Sequence, residues 1–300
     1  MRQVNNKNKI IAFTLVELLV VIAIVGLLST IVLATTSGLS SQASLTKTLA
    51  WARSIDSTLG PDAIGIWNFD EGVENTCPDG KDVCDISGWN NHGTMYNFIL
   101  PQGYVTDTPS SHGNALSFDG VDDYVSIGYV NKSILQPNHI TLSVWSYNSS
   151  GYFLMHGEPV NRNTSGYCLS TSSFNVITAD GSKFSSDFSA SIPQNKWVFI
   201  VATWDGNTME VYVDGTNIYS AVKGGGDIIY NVGRGIDSFF MHKYTYADLI
   251  AGSGITDEVR IYNTALTVSQ IRSQYYAGLN RLLVEGLIDE EEYQSKLMKI

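Results

Sequence analysis

The 300-residue chain carries 29 acidic and 18 basic side chains, a net charge of −11, and an acidic balance of this kind argues against nucleic acid as a partner. Aromatic residues are plentiful, only 7 prolines are present and glycine numbers 27, a composition suited to stacked β-strands joined by frequent turns.

Residues 1–12, MRQVNNKNKIIA, hold Arg2, Lys7 and Lys9 and no acid, a positive leader that stays on the cytoplasmic side of a membrane. From Phe13 to Leu33 the chain reads FTLVELLVVIAIVGLLSTIVL. About 20 apolar residues at ~1.5 Å each cross a hydrocarbon core of ~30 Å, so a single helical span is expected over about 13–34. Glu17 alone interrupts it. A carboxylate in a span costs roughly 2 to 4 kcal/mol unless paired, so Glu17 reads as a functional residue with a partner nearby. Moderate helical character continues to residue 59, with Leu45, Leu49 and Ala52 on one side, and Gly60 and Pro61 end it.

Residues 60–278 change to short alternating segments, roughly 220 residues to Leu279 and ample for one large core. AIGIWNFDEG reads as a first strand, NALSFDGVDDYVSIG as a hairpin and HITLSVWSYN as a strand. KWVFIVATWDGNTMEVYVDGTNIYS reads as three strands joined at Asp-Gly-Asn 205–207 and Asp-Gly 214–215, and DEVRIYNTALT closes the set. Strands at this spacing without intervening helices mean stacked antiparallel sheets. Cys77 and Cys84 flank CPDGKDVC, whose Pro-Asp-Gly turn brings two thiols together, and export would favour a disulfide. That spacing is too long for a zinc knuckle, and no second Cys or His pair follows. Cys168, in an alternating stretch, reads as a buried thiol. The tail, 279–300, returns to helical period, with Asp289 as the N-cap of a second helix.

The leader, Phe13 and Glu17 fall in the register FTLVE and resemble the class III signal of type IV pilins and pseudopilins. The resemblance implies cutting between Ala12 and Phe13 by a prepilin peptidase, N-methylation of the new amine, and pairing of that amine with Glu17 of a neighbouring subunit in a filament. The family usually has Gly before the cut, where this chain has Ala12. Loss of the three leader cations would take the net charge from −11 to −14. Further on, WNFDEG at 67–72, DISGWNNHGT at 85–94, ALSFDGVDDYV at 115–125, KWVFIVATWDG at 196–206, VYVDG at 211–215 and DEVRIYNTAL at 257–266 resemble LamG-like members of the concanavalin A-like lectin and glucanase superfamily. That likeness implies a mainly β, antiparallel jelly-roll sandwich, which would follow the long N-terminal transmembrane helix expected from the apolar stretch. The tail resembles the short C-terminal helical hairpin called SHOCT.

Three chemistries bear on such a frame. Calcium needs six to eight oxygens. The jelly-roll resemblance implies that Glu71, Asp85 and Asn90 converge with Asp257 of the last strand to hold it; the bland alternative is that Asp70, Asp85 and Asp119 form turns and Asp257 caps the strand. For glycan binding, loop aromatics are the candidates: Trp89, Tyr104, Tyr152, Tyr230, Tyr244 and Tyr246. Trp67, Trp145, Trp197 and Trp204 sit in strand motifs and read as core. β-Glucan hydrolases on this fold use a Glu-x-Asp-x-x-Glu strand, which is missing here, and Asp257 and Glu258 are adjacent and so point to opposite faces. The expectation is therefore a non-enzymatic, single-pass subunit of the cytoplasmic membrane and then of a surface pilus. Its partners would be other pilin subunits, with the sandwich displayed outside to bind a glycan or surface protein. A secretion or DNA-uptake pseudopilin with a purely structural sandwich, and an anchored glycan-processing enzyme, are the alternatives.

Overall fold

The computed structural model describes residues 58–99, 103–106, 108, 113–129, 133–157, 165–188, 192–230, 238–244 and 252–298, together with Leu19 and Ser54. Ala12, Phe13, Glu17 and Tyr246 lie outside the described residues, as does the expected span apart from Leu19. No helix among the described residues is long and apolar enough to cross a membrane. The chain divides into two units, Met1–Ala50 and Trp51–Ile300, and the strands among the described residues all lie in the second.

The strands of that unit are β1 (Ala63–Trp67), β2 (Thr94–Tyr96), β3 (Tyr104–Val105), β4 (Ala115–Asp119), β5 (Tyr124–Tyr129), β6 (Ile140–Gly157), β7 (Gly166–Ser170), β8 (Ser173–Ile177), β9 (Lys183–Asp187), β10 (Trp197–Trp204), β11 (Thr208–Val213), β12 (Thr216–Val222), β13 (Ser238–Met241) and β14 (Gly252–Tyr262). Every pairing is antiparallel. In the first sheet β12, β11, β10, β6 and β14 lie side by side, and β14 is flanked beyond by β1 and by β4 with β3. In the second the order is β2, β5, β13, β6, β7, β8, β9. The long strand β6 belongs to both, pairing β10 from Ile140 to Tyr147 and β7 and β13 beyond Tyr152. Between these halves Asn148 and Gly151 take positive φ, which re-aims the chain from one sheet to the other.

The two Asp-Gly turns form where the sequence placed them. Asp205 Oδ1 accepts the N–H groups of Asn207 (2.8 Å) and Thr208 (2.6 Å), and Asp214 and Gly215 both take positive φ between β11 and β12, as a two-residue hairpin requires. The segment 115–129 is not the hairpin that its alternation suggested: β4 pairs in the first sheet and β5 in the second. It is an arch. Asp119 Oδ1 accepts the Val121 and Asp122 N–H groups and Asp123 Oδ2 accepts that of Asp119, so the turn is satisfied by its own carboxylates rather than by a cross-strand ladder.

The main core lies between the sheets and contains Trp67, Phe69, Leu142, Val144, Val198, Ile200 and Trp204. The alternate residues of the same strands, Trp145, Trp197, Phe199 and Val201, form a second core under two helices, α1 (Val268–Val284) and α2 (Glu290–Leu297). Because β10 is covered on both faces, WVFIVATW reads as one apolar run. The four strand tryptophans are all buried, as expected.

The helical tail starts earlier than residue 279. Thr267 and Gln270 make a reciprocal capping box, and Ile271, Tyr275, Leu279 and Leu282 form one buried stripe across the expected boundary. Each such side chain contributes roughly 1.5 to 3 kcal/mol of burial. Asp289 caps α2 as predicted, accepting the Glu292 N–H at 2.8 Å, and Lys296 on α2 bonds Asp214 at 3.0 Å. The tail therefore packs on the sandwich. Gly278 lies against Trp145, where a Cβ would collide with the indole. Beside it Glu258, at φ 50° within a bulge of β14, bonds Arg260 at 2.6 Å and Arg281 of α1 at 3.0 Å, a buried ion triad between sheet and helix.

Candidate functional site

The early motifs form a clamp on β1. Asp85 is buried with both oxygens occupied: Oδ1 accepts the Ile66 and Ser87 N–H groups at 3.0 and 2.9 Å, and Oδ2 accepts the Asn91 N–H and Nδ2 at 2.9 and 3.0 Å. Asn91 also donates to Ile64 O and receives the Trp67 indole N–H on its carbonyl. His92 Nδ1 accepts the Asp85 N–H. The expected disulfide between Cys77 and Cys84 closes the neighbouring loop, and Glu71 Oε1 accepts the Cys84 N–H at 2.9 Å. Burial raises the Glu71 carboxyl, an effect that two backbone N–H groups oppose.

These bonds bear on the calcium set expected from sequence. Asn90 is exposed and at positive φ, and its neighbour Asn91 is the one that meets Asp85. Asp257 is buried in β14, its carboxylate accepting the Glu258 N–H at 2.7 Å. Among the described residues the groups of three candidate ligands within 4.8 Å are Cys77, Cys84 and His92, whose thiols are tied in the disulfide, and Asp119, Asp122 and Asp123. Glu71, Asp85 and Asp257 are not among those groups; hydrogen bonds of the fold hold both oxygens of Asp85 and one oxygen each of Glu71 and Asp257.

The loop aromatics separate into walls and a face. Tyr104 donates to Asp82 O and packs on the main core; Tyr230 donates to Pro137 O and stands edge-on to His156 and Tyr167. Both rings are partly buried and tied into the fold by those contacts. Trp89 is half exposed on the clamp loop. Tyr152 and Tyr244 do come together, stacked at 5.4 Å over Met155 and Cys168, and burial, then Cys168 and Tyr244, push the Tyr152 hydroxyl up to about 12.

That pair lies on the outer face of the second sheet, which sequence reasoning did not single out. Register across the strands puts Thr94, Ser126, Phe240, Met155, Cys168, Asn175 and Ser185 in one row. Next to it Tyr96 and Tyr124 stack at 4.8 Å with planes 5° apart, Phe240 meets Tyr124 edge-on, and the Lys243 ammonium sits 3.9 Å from the Tyr124 ring centroid. Further along, Asn175 Nδ2 donates to Ser173 Oγ, which is 3.1 Å from Ser170 Oγ. Aromatic rings, hydroxyls, an amide and an ammonium thus share one face, exposed at Tyr96 and half-buried at Tyr124, Phe240 and Lys243, while Met155, Cys168, Ser170, Asn175 and Tyr244 are buried. Such a set stacks on the C–H faces of a polyol and bonds its hydroxyls. The signal was the alternation of Tyr124, Ser126 and Gly128 with Val125 and Ile127; Phe240 lies outside the six motifs, on the four-residue strand β13.

Two buried imidazoles complete the interior. Burial lowers His156 to about 4 and His242 to about 3, and His242 Nε2 lies 2.7 Å from Thr256 Oγ1. Both are neutral core groups near pH 7.

Residues 119–272 match a family described as the concanavalin A-like lectin/glucanases superfamily, and residues 7–33 match the prokaryotic N-terminal methylation motif. No curated protein matches. Among solved structures, the ligand binding domain of botulinum neurotoxin serotype D in complex with N-acetylneuraminic acid is similar at 12% identity, over 75% of this chain and 53% of that one, with a TM-score of 0.50. The receptor binding domain of the mosaic serotype C/D neurotoxin aligns at 15% identity, over 74% and 52%, with a TM-score of 0.49. Domain 4 of an extracellular arabinanase from Geobacillus stearothermophilus, in complex with arabinotriose, aligns at 19% over 71% and 98%, with a TM-score of 0.45. The chain spans about half the length of the neurotoxin domains, and at these identities the likeness is one of fold.

Proposed function

The chain belongs to the concanavalin A-like lectin/glucanases superfamily and carries an N-terminal methylation motif, and from these two premises we propose that it is a pilin-like filament subunit displaying a glycan-binding sandwich. The observation that carries the binding reading is the aromatic face of Tyr96, Tyr124, Phe240 and Lys243 beside stacked Tyr152 and Tyr244. The first sheet's outer face is under α1 and α2, and on the second sheet the part of the outer face open to a ligand is the end with exposed Tyr96 and half-buried Tyr124, Phe240 and Lys243. The reading is non-enzymatic: the adjacent Asp257 and Glu258 are spent on a backbone N–H and an ion triad, and do not face one bond as an acid/base pair.

The full chain in detergent micelles is expected to bind a subset of neutral and acidic oligosaccharides on a glycan array. Tyr124→Ala should weaken that binding about tenfold, since a ring contact is worth ~0.5 to 1.5 kcal/mol and Tyr96 loses its stacking partner. Silence of the wild-type protein against every sugar would favour the purely structural sandwich of a secretion or DNA-uptake pseudopilin. Filament membership has its own check. Mass spectrometry of native material should find a chain starting at Phe13 rather than at Met1, and Glu17→Leu should abolish incorporation into filaments.

A further inference from the structure

The arch between β4 and β5 holds more carboxylate than its turn uses. Asp119 Oδ1 and Asp123 Oδ2 accept the arch's own N–H groups. Asp123 Oδ1 accepts nothing: the residue is 5% exposed, and that oxygen is shut off from solvent without a hydrogen-bond partner. One oxygen each from Asp119, Asp122 and Asp123 lies within 4.8 Å of the others. Leaving a buried acceptor unpaired costs about 1 to 3 kcal/mol, and like charges around it add to that cost.

A divalent cation removes both costs. Calcium–oxygen distances of about 2.3 to 2.6 Å place two oxygens on opposite sides of one ion up to ~5 Å apart, which the spacing meets. A cavity of about 130 Å³ lined by Asp119, Asp123, Ser117 and Gly103 adjoins the group and leaves room for coordinating water.

We propose that Asp119, Asp122 and Asp123 form a calcium-class cation site at the arch between the two sheets, distinct from the early-motif set. It stands whether or not the adjoining Tyr124 binds sugar.

The test is a titration of the chelator-treated full chain, in detergent micelles, with calcium chloride alone, read by calorimetry and thermal melting. One saturable site is expected, with the melting temperature rising about 3 to 5 °C at tenfold excess over half-saturation. Asp122→Asn, at an exposed position, should cut affinity tenfold or more. Asp123→Asn should do the same while melting at or above the wild-type temperature without calcium, because it removes the repulsion; its lost binding is then not a folding defect. No heat and no shift up to about 10 mM calcium, or a shift that survives both substitutions, would overturn the site.

Discussion

Glu258→Ala is expected to destabilise the sandwich by about 3 to 5 kcal/mol, because it removes the carboxylate that two largely buried guanidinium groups share. Arg260 and Arg281 are each under one-sixth exposed, at 12% and 14% of their side chains, so solvent does not take over when Glu258 is removed. Denaturant unfolding of the full chain in micelles, followed by tryptophan fluorescence, measures the loss, and Trp145 lines the same small cavity. The pH dependence carries its own sign. Burial opposes ionisation of Glu258, yet the two arginines overcome it and hold the carboxyl below the usual range. A depressed folded pKa means that the stabilisation is present above the unfolded value, near ~4.3, and is lost as pH falls through the folded value. The gap between wild type and Glu258→Gln should accordingly narrow in acid. A gap within ~0.5 kcal/mol at pH 7 would mean that the triad is ornamental, and a triple apolar replacement of similar volume, near neutral in other proteins, would then be the better description of this contact.

Asp85→Asn is the second large effect. Four N–H donors converge on two oxygens, and an amide can serve only one pair while turning its own N–H₂ toward the other. The expected cost is about 2 to 4 kcal/mol, with Asp85→Ala greater still. Calcium separates this role from metal ligation. If Asp85 is a clamp, calcium raises the melting temperature of wild type and Asp85→Asn by the same amount; if Asp85 is a ligand of a second site, the variant's shift is smaller than that of wild type.

Legibility in the sequence followed the range of the interactions. Turns at 205–207 and 214–215, the Asp289 cap and the Cys77–Cys84 loop were readable because each is closed by residues within about eight positions. The strand tryptophans were readable as core from alternation alone. Errors arose where a residue's partner is remote. The 115–129 arch looked like a hairpin because alternation gives face and not sheet. Strands β7 to β9 and β13 lie outside the six motifs: β7 and β8 are buried on both faces, which erases the period-2 signal, and β13 is four residues long. Asn90 and Asn91 are one residue apart, and the difference between an exposed left-handed turn residue and the centre of the clamp is invisible without the fold.

The local code thus determined by itself that this chain has a basic leader and an acid-bearing apolar helix signal, then an all-β body with aromatic cores, Asp-Gly turns and a capped helical tail. All of these rest on periodicity and short-range hydrogen bonding. Only the tertiary structure decided that Tyr104 and Tyr230 are walls while Tyr96, Tyr124 and Phe240 share a face, that Glu258 belongs to two arginines, and that Asp123 keeps a buried oxygen without a donor. Those outcomes are set by which strands become neighbours across two sheets, and neighbours far apart in sequence are chosen by packing of the whole core, not by any one segment.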